Sequence, residues 1–511
     1  MFKTITWSLI VLCTLICAGA YGQVKDPLLF PKDNFTMETK IVKTSAGEKK
    51  VIYRSFMHIP YVAKPVDKDY QSLNVSVPVS IDGVQANTAN APILFVIGVG
   101  GYMSERNGSS SGSHPEDGMG MHPSGAPGMG PGQRPGNMPP PRVRPMSSGS
   151  DRGDLALAAG YVVVSPGCRG RDNKASDGTY YGKAPAVIVD LKAAIRYIRH
   201  NQGILPGNTE QIVSVGCSAG GAVSAVLGAS GNSPLYDSYL KETGAADGRD
   251  DIYACACYSP ITDLEHADGA YEWMYGNIPS NSGLVDQDLS AQLKALNTEY
   301  QSSLHLQGKN GFGPITSDNY GEYLLHYYLI PSANKYLKGL TDEKQKNYLA
   351  NNKWMNWKNN EVMFSFKDYV AYVGRMKNLP AFDDFDKQKP EPSEFGNAKV
   401  DTRHFTEFSL RHSTGNANAT LEPEVINQRN MMNPIYFVGQ KNSGCAIKWW
   451  LRNGTRDNDT SQPIMVNLAT SLENNLDRDV NAWDFWDAGH CQDDDPESFI
   501  TWIGNITSQS K

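Results

Sequence analysis

The sequence has no excess of basic residues, and beyond its first 20 positions it has no long hydrophobic run. Lysine and arginine number 47 against 54 aspartates and glutamates, which gives a net charge of −7 and a pI of about 5.8. Such a chain lacks the positive charge that neutralises a phosphate backbone, so a nucleic-acid partner is not expected. No later stretch of about 18 apolar residues could span a bilayer, so no membrane span is expected. With 40% hydrophobic and 20% charged residues, the composition excludes a chain that is disordered throughout or collagen-like.

Cysteine is also scarce, with eight in 511 residues. Lys3, the apolar run over residues 5–16 and the small residues at 18–20 predict a cleaved secretory signal over residues 1–22. The predicted location is therefore secreted or periplasmic. A lipid anchor on Cys17 is not expected, because an isoleucine precedes it. The six cysteines beyond the signal can pair in an oxidising compartment.

Strand and helix patterns alternate in two separated parts of the chain, which is typical of a parallel sheet covered by helices on both faces. We predict a first core part at residues 23–276 and a last core part at residues 431–511. Between them, residues 277–430 are polar, aromatic-rich and mostly helical, and we expect a lid domain there. Residues 107–150 are rich in glycine, proline and methionine, and we expect a flexible surface insertion.

The sharpest motif is Gly-Cys-Ser-Ala-Gly at residues 216–220, between a predicted strand and a predicted helix. Gly-x-Ser-x-Gly in this setting is typical of a nucleophile elbow, a strained turn whose small residues let the serine hydroxyl stand exposed. It predicts Ser218 as a nucleophile, and the alternative is a plain glycine-rich turn. An oxyanion would then meet the backbone N–H of Ala219 and that of Gly101 or Gly100, at the end of an early strand.

His490 and Asp457 are the candidates for the base and the acid. A serine hydroxyl needs a base to take its proton, and in proteins with such an elbow the acid and the histidine follow the serine along the chain. His490 comes just after the last predicted strand. Asp457 lies on the loop after the preceding strand, where its carboxylate can accept the other ring N–H of the histidine. Asp459 and Asp263 remain alternatives for the acid.

Two cysteines flank these candidates. Cys217 precedes Ser218, and Cys491 follows His490. Contact between the serine and the histidine brings the two cysteines close enough to form a disulfide. The alternative is a pair of small buried cysteines.

Several segments resemble the bacterial tannases. The similarity extends from about residue 92 to residue 495, interrupted by the insertion, and is most specific over residues 184–273. It implies an α/β fold of the α/β-hydrolase type, with a mostly helical lid domain inserted before the last strands. It also implies Ser218, Asp457 and His490 as a catalytic triad that cleaves galloyl esters. The matching segments are Gly100-Gly101-Tyr102-Met103, residues 184–197, Ser218-Ala-Gly-Gly-Ala, residues 266–273, Arg375-Met-Lys377, Pro380-Ala-Phe-Asp, Glu394-Phe-Gly and Asp457-Asn-Asp459-Thr-Ser.

The resemblance further implies that Lys377, Glu394 and Asp459 contact the hydroxyls of the galloyl ring. Two carboxylates that accept phenolic O–H groups, with an ammonium beside them, suit a trihydroxylated ring. Lys377 is expected on the apolar stripe of a helix over residues 366–377, and the alternative is a lysine whose stem covers apolar surface. Glu391 is the alternative to Glu394 in the same stretch.

Together these observations predict a secreted serine esterase that hydrolyses galloyl or other phenolic-acid esters through an acyl-enzyme. The predicted partner is a small-molecule phenolic ester, and neither a metal nor a cofactor is expected. A feruloyl esterase or a general carboxylesterase is the alternative enzyme. A non-catalytic binding protein on a hydrolase scaffold is the alternative of another class.

Overall fold

A computed structural model describes residues 26–106, 152–280 and 282–508. The predicted signal at 1–22 and the predicted insertion at 107–150 lie outside these ranges. Within them, no helix combines the length and the apolar character needed to cross a membrane.

The described chain up to residue 280 alternates strands and helices after an N-terminal block of strands. The elements are β1 (Thr36–Thr44), β2 (Gly47–Pro60), β3 (Ser72–Ile81), β4 (Val84–Gln85), β5 (Ile93–Val96), α1 (Arg152–Ala158), β6 (Val162–Pro166), α2 (Ala186–His200), β7 (Ile212–Cys217), α3 (Ala219–Ala229), α4 (Asp237–Thr243), β8 (Ala254–Tyr258) and α5 (Leu264–Tyr275), with a 3-10 turn at Pro234–Tyr236.

The following region is mostly helical, with two short antiparallel hairpins, β9–β10 and β11–β12. Its elements are α6 (Gln287–Ser303), β9 (Gln307–Gly308), β10 (Gly313–Pro314), α7 (Tyr320–Leu324), α8 (Ile330–Lys338), α9 (Asp342–Asn351), β11 (Asn356–Lys358), β12 (Glu361–Met363), α10 (Phe366–Val373), α11 (Pro390–Glu394), α12 (Glu407–Thr414) and α13 (Pro423–Met431), with single turns at Lys309–Gly311 and Leu325–Leu329.

The last part returns to the alternating pattern and completes the central sheet. Its elements are α14 (Pro434–Gly439), β13 (Lys448–Gly454), α15 (Gln462–Leu476), β14 (Asp479–Phe485) and α16 (Pro496–Ser508). The strand order is β1-β2-β3-β6-β5-β7-β8-β13-β14, with β4 paired to β3. Within this order, the neighbouring strands β6, β5, β7, β8, β13 and β14 run parallel to one another. Strands β1, β2 and β3 are antiparallel to their neighbours.

Apolar side chains cover both faces of the parallel strands. Along β5, Ile93 and Phe95 belong to one buried cluster, whereas Leu94 between them belongs to the other, because successive side chains of a strand point to opposite faces. Helices α2, α3 and α15 contribute to the first cluster, and α1 and α16 contribute to the second. This arrangement confirms the predicted α/β class.

The parallel strands bring three predicted residues to one edge of the sheet. Ser218 directly follows β7, Asp457 lies three residues after β13 and His490 lies five residues after β14. Because these strands are parallel, their carboxyl ends meet at the same edge, which is where sites form in such sheets.

Candidate active site

Ser218 lies in a strained turn between β7 and α3. Its φ of 60° and ψ of −127° are rare for a residue with a side chain, and such strain clusters at functional sites. Its backbone N–H donates to the Tyr258 carbonyl at 3.0 Å. A Cβ added at Gly216 would lie only 2.3 Å from the carbonyl oxygen of Gly220, so the close approach of these two residues requires glycine at position 216. The local geometry is that of a nucleophile elbow.

The turn after β5 packs directly against this elbow. A Cβ added at Gly220 would lie 2.7 Å from the Val99 carbonyl oxygen. Gly101 in this turn has a φ of 55°, and its carbonyl accepts a hydrogen bond from Nε of Arg171 at 2.7 Å. Ala219 is the first residue of α3. The oxyanion donors at Gly101 and Ala219 stay a prediction.

His490 is hydrogen-bonded to Asp457, with 2.9 Å between its Nδ1 and Oδ2 of Asp457. The Asp457 side chain is fully buried, whereas 29% of the His490 side chain is exposed. Nε2 of His490 has no hydrogen-bond partner among the described residues. Burial alone would lower the pKa of His490, but the charge of Asp457 and its hydrogen bond outweigh burial, and the pKa lies above its usual value. His490 thus has one nitrogen fixed and one available to a reacting group.

Backbone contacts hold the two loops that carry this pair. The N–H of Thr455 donates to the Phe485 carbonyl at 3.0 Å, and the N–H of Asp487 donates to the Thr455 hydroxyl at 2.8 Å. The loop after β13 is therefore tied to the loop after β14, and the positions of Asp457 and His490 are set together.

The two alternative acids have other partners. Asp263 contacts Nδ1 of His266 at 2.8 Å and also accepts from the Tyr300 hydroxyl and the Asn433 amide. Asp459 lies 3.5 Å from Nε2 of His490, on the side of the ring opposite the Asp457 hydrogen bond. Of the three candidate acids, only Asp457 is hydrogen-bonded to Nδ1 of His490.

A disulfide joins Cys217 to Cys491, with 5.8 Å between their Cα atoms, as predicted. It connects the residue before Ser218 to the residue after His490. The backbone N–H of Cys491 also donates to the Ser259 hydroxyl at 3.1 Å. The histidine loop is therefore fastened covalently to the elbow.

Removal of this disulfide is expected to reduce turnover of an aryl ester by about ten- to a hundredfold, because a displaced base loses the geometry for proton transfer. The double variant Cys217→Ala/Cys491→Ala would be assayed at a temperature where circular dichroism shows it folded, since the bridge contributes up to about 5 kcal/mol to stability in the chain-entropy model. Cys445→Ala, which removes a buried free thiol, is the control. Unchanged turnover in the folded double variant would contradict a role for the bridge in positioning His490.

Lys377 and Asp459 form an ion pair beside His490, with 2.9 Å between Nζ and Oδ1. The ammonium also lies 3.8 Å from the centre of the Phe382 ring. Burial would lower the pKa of Lys377, but the charges of Asp459 and Glu391 raise it above its usual value. Lys377 is therefore charged at neutral pH within an aromatic and carboxylate environment.

The expected helical position of Lys377 is wrong. Helix α10 ends at Val373, and Gly374 follows with a φ of 77°, a conformation that favours glycine and stops the helix. The backbone N–H of Lys377 instead donates to the Tyr271 hydroxyl at 3.0 Å, and that hydroxyl donates to the Asn458 carbonyl. Tyr271 thus joins the loop of Lys377 to the loop of Asp459. Tyr271 lies within the matching segment at 266–273 but is not among the predicted site residues.

The two glutamates of α11 have different electrostatic surroundings. Glu394 is fully buried, neither of its carboxylate oxygens has a described partner, and its nearest cations are Arg171 and Lys183. Glu391 is also buried, and its Oε2 has no described partner, but its field acts on Lys377 and Asp459. Burial raises the pKa of both carboxyls, and Lys377 opposes this for Glu391 alone. The charge of Lys377 therefore acts on Glu391, which favours Glu391, the alternative, for the role predicted for Glu394.

The fold and sequence are similar to those of known esterases. A sequence model of the family described as BD-FAE matches residues 146–299. The crystal structure of the tannase of Fusobacterium nucleatum is similar with a TM-score of 0.78 and 33% identity, over 94% of this chain and 99% of that one. This chain belongs to the tannase family. The family confirms the α/β-hydrolase fold with its helical lid domain.

Two further relatives of this tannase-family chain are informative. A tannin acyl hydrolase whose structure was solved with ethyl gallate is 32% identical, with a TM-score of 0.76 over 94% of this chain and 99% of that one. Esterase LipC of Mycobacterium tuberculosis is 32% identical over 104 residues, which amount to 20% of this chain and 22% of the esterase. The chain therefore spans almost the full length of the solved tannin acyl hydrolase but matches less than a quarter of LipC.

Proposed function

We propose that this protein hydrolyses galloyl or related phenolic-acid esters, with Ser218 as nucleophile, His490 as general base and Asp457 as the carboxylate that orients His490. The observation that carries the proposal is the histidine: Nδ1 is held by a buried carboxylate, Nε2 makes no hydrogen bond to a described residue, and the next residue is bonded to the neighbour of Ser218. The two solved relatives are both named as tannases or tannin acyl hydrolases, which supports an ester as the substrate.

The reaction has two halves. Oγ of Ser218 attacks the ester carbonyl carbon while Nε2 of His490 takes the hydroxyl proton. The oxyanion accepts N–H groups at Ala219 and Gly101, and the tetrahedral intermediate expels the alcohol, which receives the proton from Nε2. Water then loses a proton to Nε2 and attacks the acyl carbon. The bond between that carbon and Oγ breaks while Nε2 returns the proton to Oγ, which releases the acid and restores the Ser218 hydroxyl. Asp457 remains ionised throughout and stabilises the imidazolium.

The acyl ring is proposed to bind at Lys377, Asp459 and Glu391. Asp459 contacts both Lys377 and the catalytic histidine, so a group bound there lies next to the reacting carbonyl. The carboxylates accept phenolic O–H groups, and the ammonium donates to the hydroxyl oxygens. Oε2 of Glu391 accepts no hydrogen bond from the residues that the structure describes, which supports a ligand hydroxyl as its partner.

Substitution of Lys377 by methionine is expected to lower kcat/KM for methyl gallate by about ten- to a hundredfold, because the hydroxyls and the carboxylates then lack their donor. Hydrolysis of p-nitrophenyl acetate, which has no ring hydroxyls, should change by less than about threefold. Glu391→Gln should resemble Lys377→Met, whereas Glu394→Gln should leave the ratio of the two substrates unchanged. Lys399→Met, at an exposed lysine, is the control.

Equal losses on both substrates in Lys377→Met would contradict ring recognition and leave a general carboxylesterase. A selective loss on methyl gallate in Glu394→Gln but not in Glu391→Gln would reverse the assignment of the glutamate. Faster hydrolysis of methyl ferulate than of methyl gallate by the unmodified protein would favour a feruloyl esterase.

Export is part of the proposal. The signal-like composition of residues 1–22 supports a secreted or periplasmic location, and the Cys217–Cys491 disulfide is compatible with an oxidising compartment.

A further inference from the structure

A cavity lies at the outer edge of the sheet, which β14 forms. It has a volume of about 230 Å³, and the side chains of Trp450, Trp483 and Phe485 form its aromatic walls. Lys335 of α8 and Arg452 of β13 supply its two cations. No residue proposed for catalysis or for ring recognition lines this cavity.

Among the described residues, no carboxylate forms an ion pair with the buried cation Arg452. Only 5% of the residue is exposed, and its guanidinium carbon lies 3.4 Å from the centre of the Trp450 ring. Its two terminal nitrogens donate to the carbonyls of Leu451 and Asn481 and to the Asn481 side chain. In the described part of the chain, Nε makes no hydrogen bond, and no acidic oxygen lies within 4.0 Å of the guanidinium. The two terminal nitrogens are thus engaged by backbone and asparagine oxygens, and Nε is the donor left for a ligand.

Three neighbouring acids, Asp484, Asp493 and Asp495, act on this cation without forming an ion pair with it. Asp493 pairs instead with Nε of Arg152 at 2.8 Å. Burial raises the pKa of Asp484 to about 8, so its carboxyl is mostly protonated at neutral pH. Burial also lowers the pKa of Arg452 to about 10, which leaves it charged under the same conditions. Asp495 lines the cavity, but its carboxylate accepts the hydroxyl and backbone N–H of Ser498 in the first turn of α16. With Lys335, Arg452 and Asp495 together, the lining carries a net charge of +1.

We infer that this cavity binds a small aromatic carboxylate, whose carboxylate pairs with Arg452 and Lys335 and whose ring packs against Trp483 and Phe485. Charge-assisted hydrogen bonds from arginine to carboxylates are strong, and Nε of Arg452 is a donor without an acceptor among the described residues. The aromatic walls favour a ring over an aliphatic anion, because a ring buries apolar area against them. The acid released by the proposed reaction belongs to this chemical class. The identification of that acid as the ligand rests on the proposed function, whereas the inference that the cavity binds an aromatic carboxylate does not.

Calorimetric titration of the full chain with benzoate tests the site. Benzoate is expected to bind with a dissociation constant on the order of 1 mM, and benzamide and acetate at least about tenfold more weakly, because each lacks one of the two recognised features. Lys335→Glu should weaken benzoate binding about fivefold or more. Lys338→Glu, at an exposed lysine of the same helix that does not line the cavity, should leave it unchanged. Arg452→Gln should abolish this binding event.

The same titration in the Lys377→Met variant separates this cavity from the proposed ring subsite. Benzoate should still bind to Lys377→Met, and the additional change Lys335→Glu should still weaken that binding. Equal benzoate affinity in Lys335→Glu and Lys338→Glu, or equal affinity for benzoate and benzamide, would overturn the inference. The Lys335 and Lys338 pair keeps the test decisive even if Arg452→Gln fails to fold. Because benzoate is not an ester, these results do not depend on whether Ser218 is a nucleophile.

Discussion

Replacement of Ser218 by alanine is expected to lower kcat for an aryl ester by about 10⁶-fold, to the level that binding and oxyanion contacts alone sustain. In the described ranges, Ser218 is the serine that follows a parallel strand within a Gly-x-Ser-x-Gly turn, so we expect no other described residue to take over the attack. The Ser218 side chain makes no hydrogen bond to another described residue, and alanine leaves the backbone unchanged, so the fold should persist. Hydrolysis of p-nitrophenyl acetate and near-ultraviolet circular dichroism measure the two effects.

Ser259→Ala is the matched control for this variant. Its hydroxyl accepts the N–H of Cys491 near the same site, so its loss removes a contact of the histidine loop without removing the nucleophile. Its activity should fall by less than about tenfold. Turnover that survives in Ser218→Ala, or that disappears equally in Ser259→Ala, would contradict the proposed mechanism.

Replacement of Asp457 by asparagine is expected to lower kcat by about 10⁴-fold, because the amide favours the wrong tautomer of His490 and does not stabilise the imidazolium. The pH profile should also move. The base must be neutral, so kcat/KM rises with pH through the pKa of His490. Asp457 raises that pKa against the effect of burial, so its neutralisation should shift the rising limb to lower pH.

Asp263→Asn is the comparison that separates the two acids. Asp263 was an alternative from the sequence, but its carboxylate contacts His266, Tyr300 and Asn433. This variant should keep the wild-type position of the rising limb, whatever its effect on stability. A shift of the limb in Asp263→Asn, with no shift in Asp457→Asn, would exchange their roles.

The sequence predicts those parts of the fold in which a short run of residues has the apolar or glycine pattern typical of the element that it forms. The continuous apolar strands and the glycine-bounded serine turn each carry their signal within a few residues. The antiparallel strands β1, β2 and β3 were not identified, because β1 and β2 have only a few buried positions and β2 pairs with β3 through register irregularities.

The positions of the residues proposed to bind the acyl ring could not be predicted from the sequence alone. The apolar spacing of Phe366, Val370 and Val373 continues in phase to Lys377, yet Gly374 ends the helix first. Glu391 and Glu394 are both buried in the same short helix, so composition does not distinguish them. The two glutamates differ in the cations whose charges act on them: Lys377 for Glu391, and Arg171 and Lys183 for Glu394. These cations are distant in the sequence, so only the tertiary structure reveals the difference.

The disulfide has one further consequence for the integrity of the molecule. It spans 274 positions of the chain, and the whole helical lid lies between its two ends. A protease that cuts an exposed loop of the lid therefore produces two fragments that remain covalently joined beside Ser218 and His490. A single cut in this region therefore does not separate Ser218 from His490.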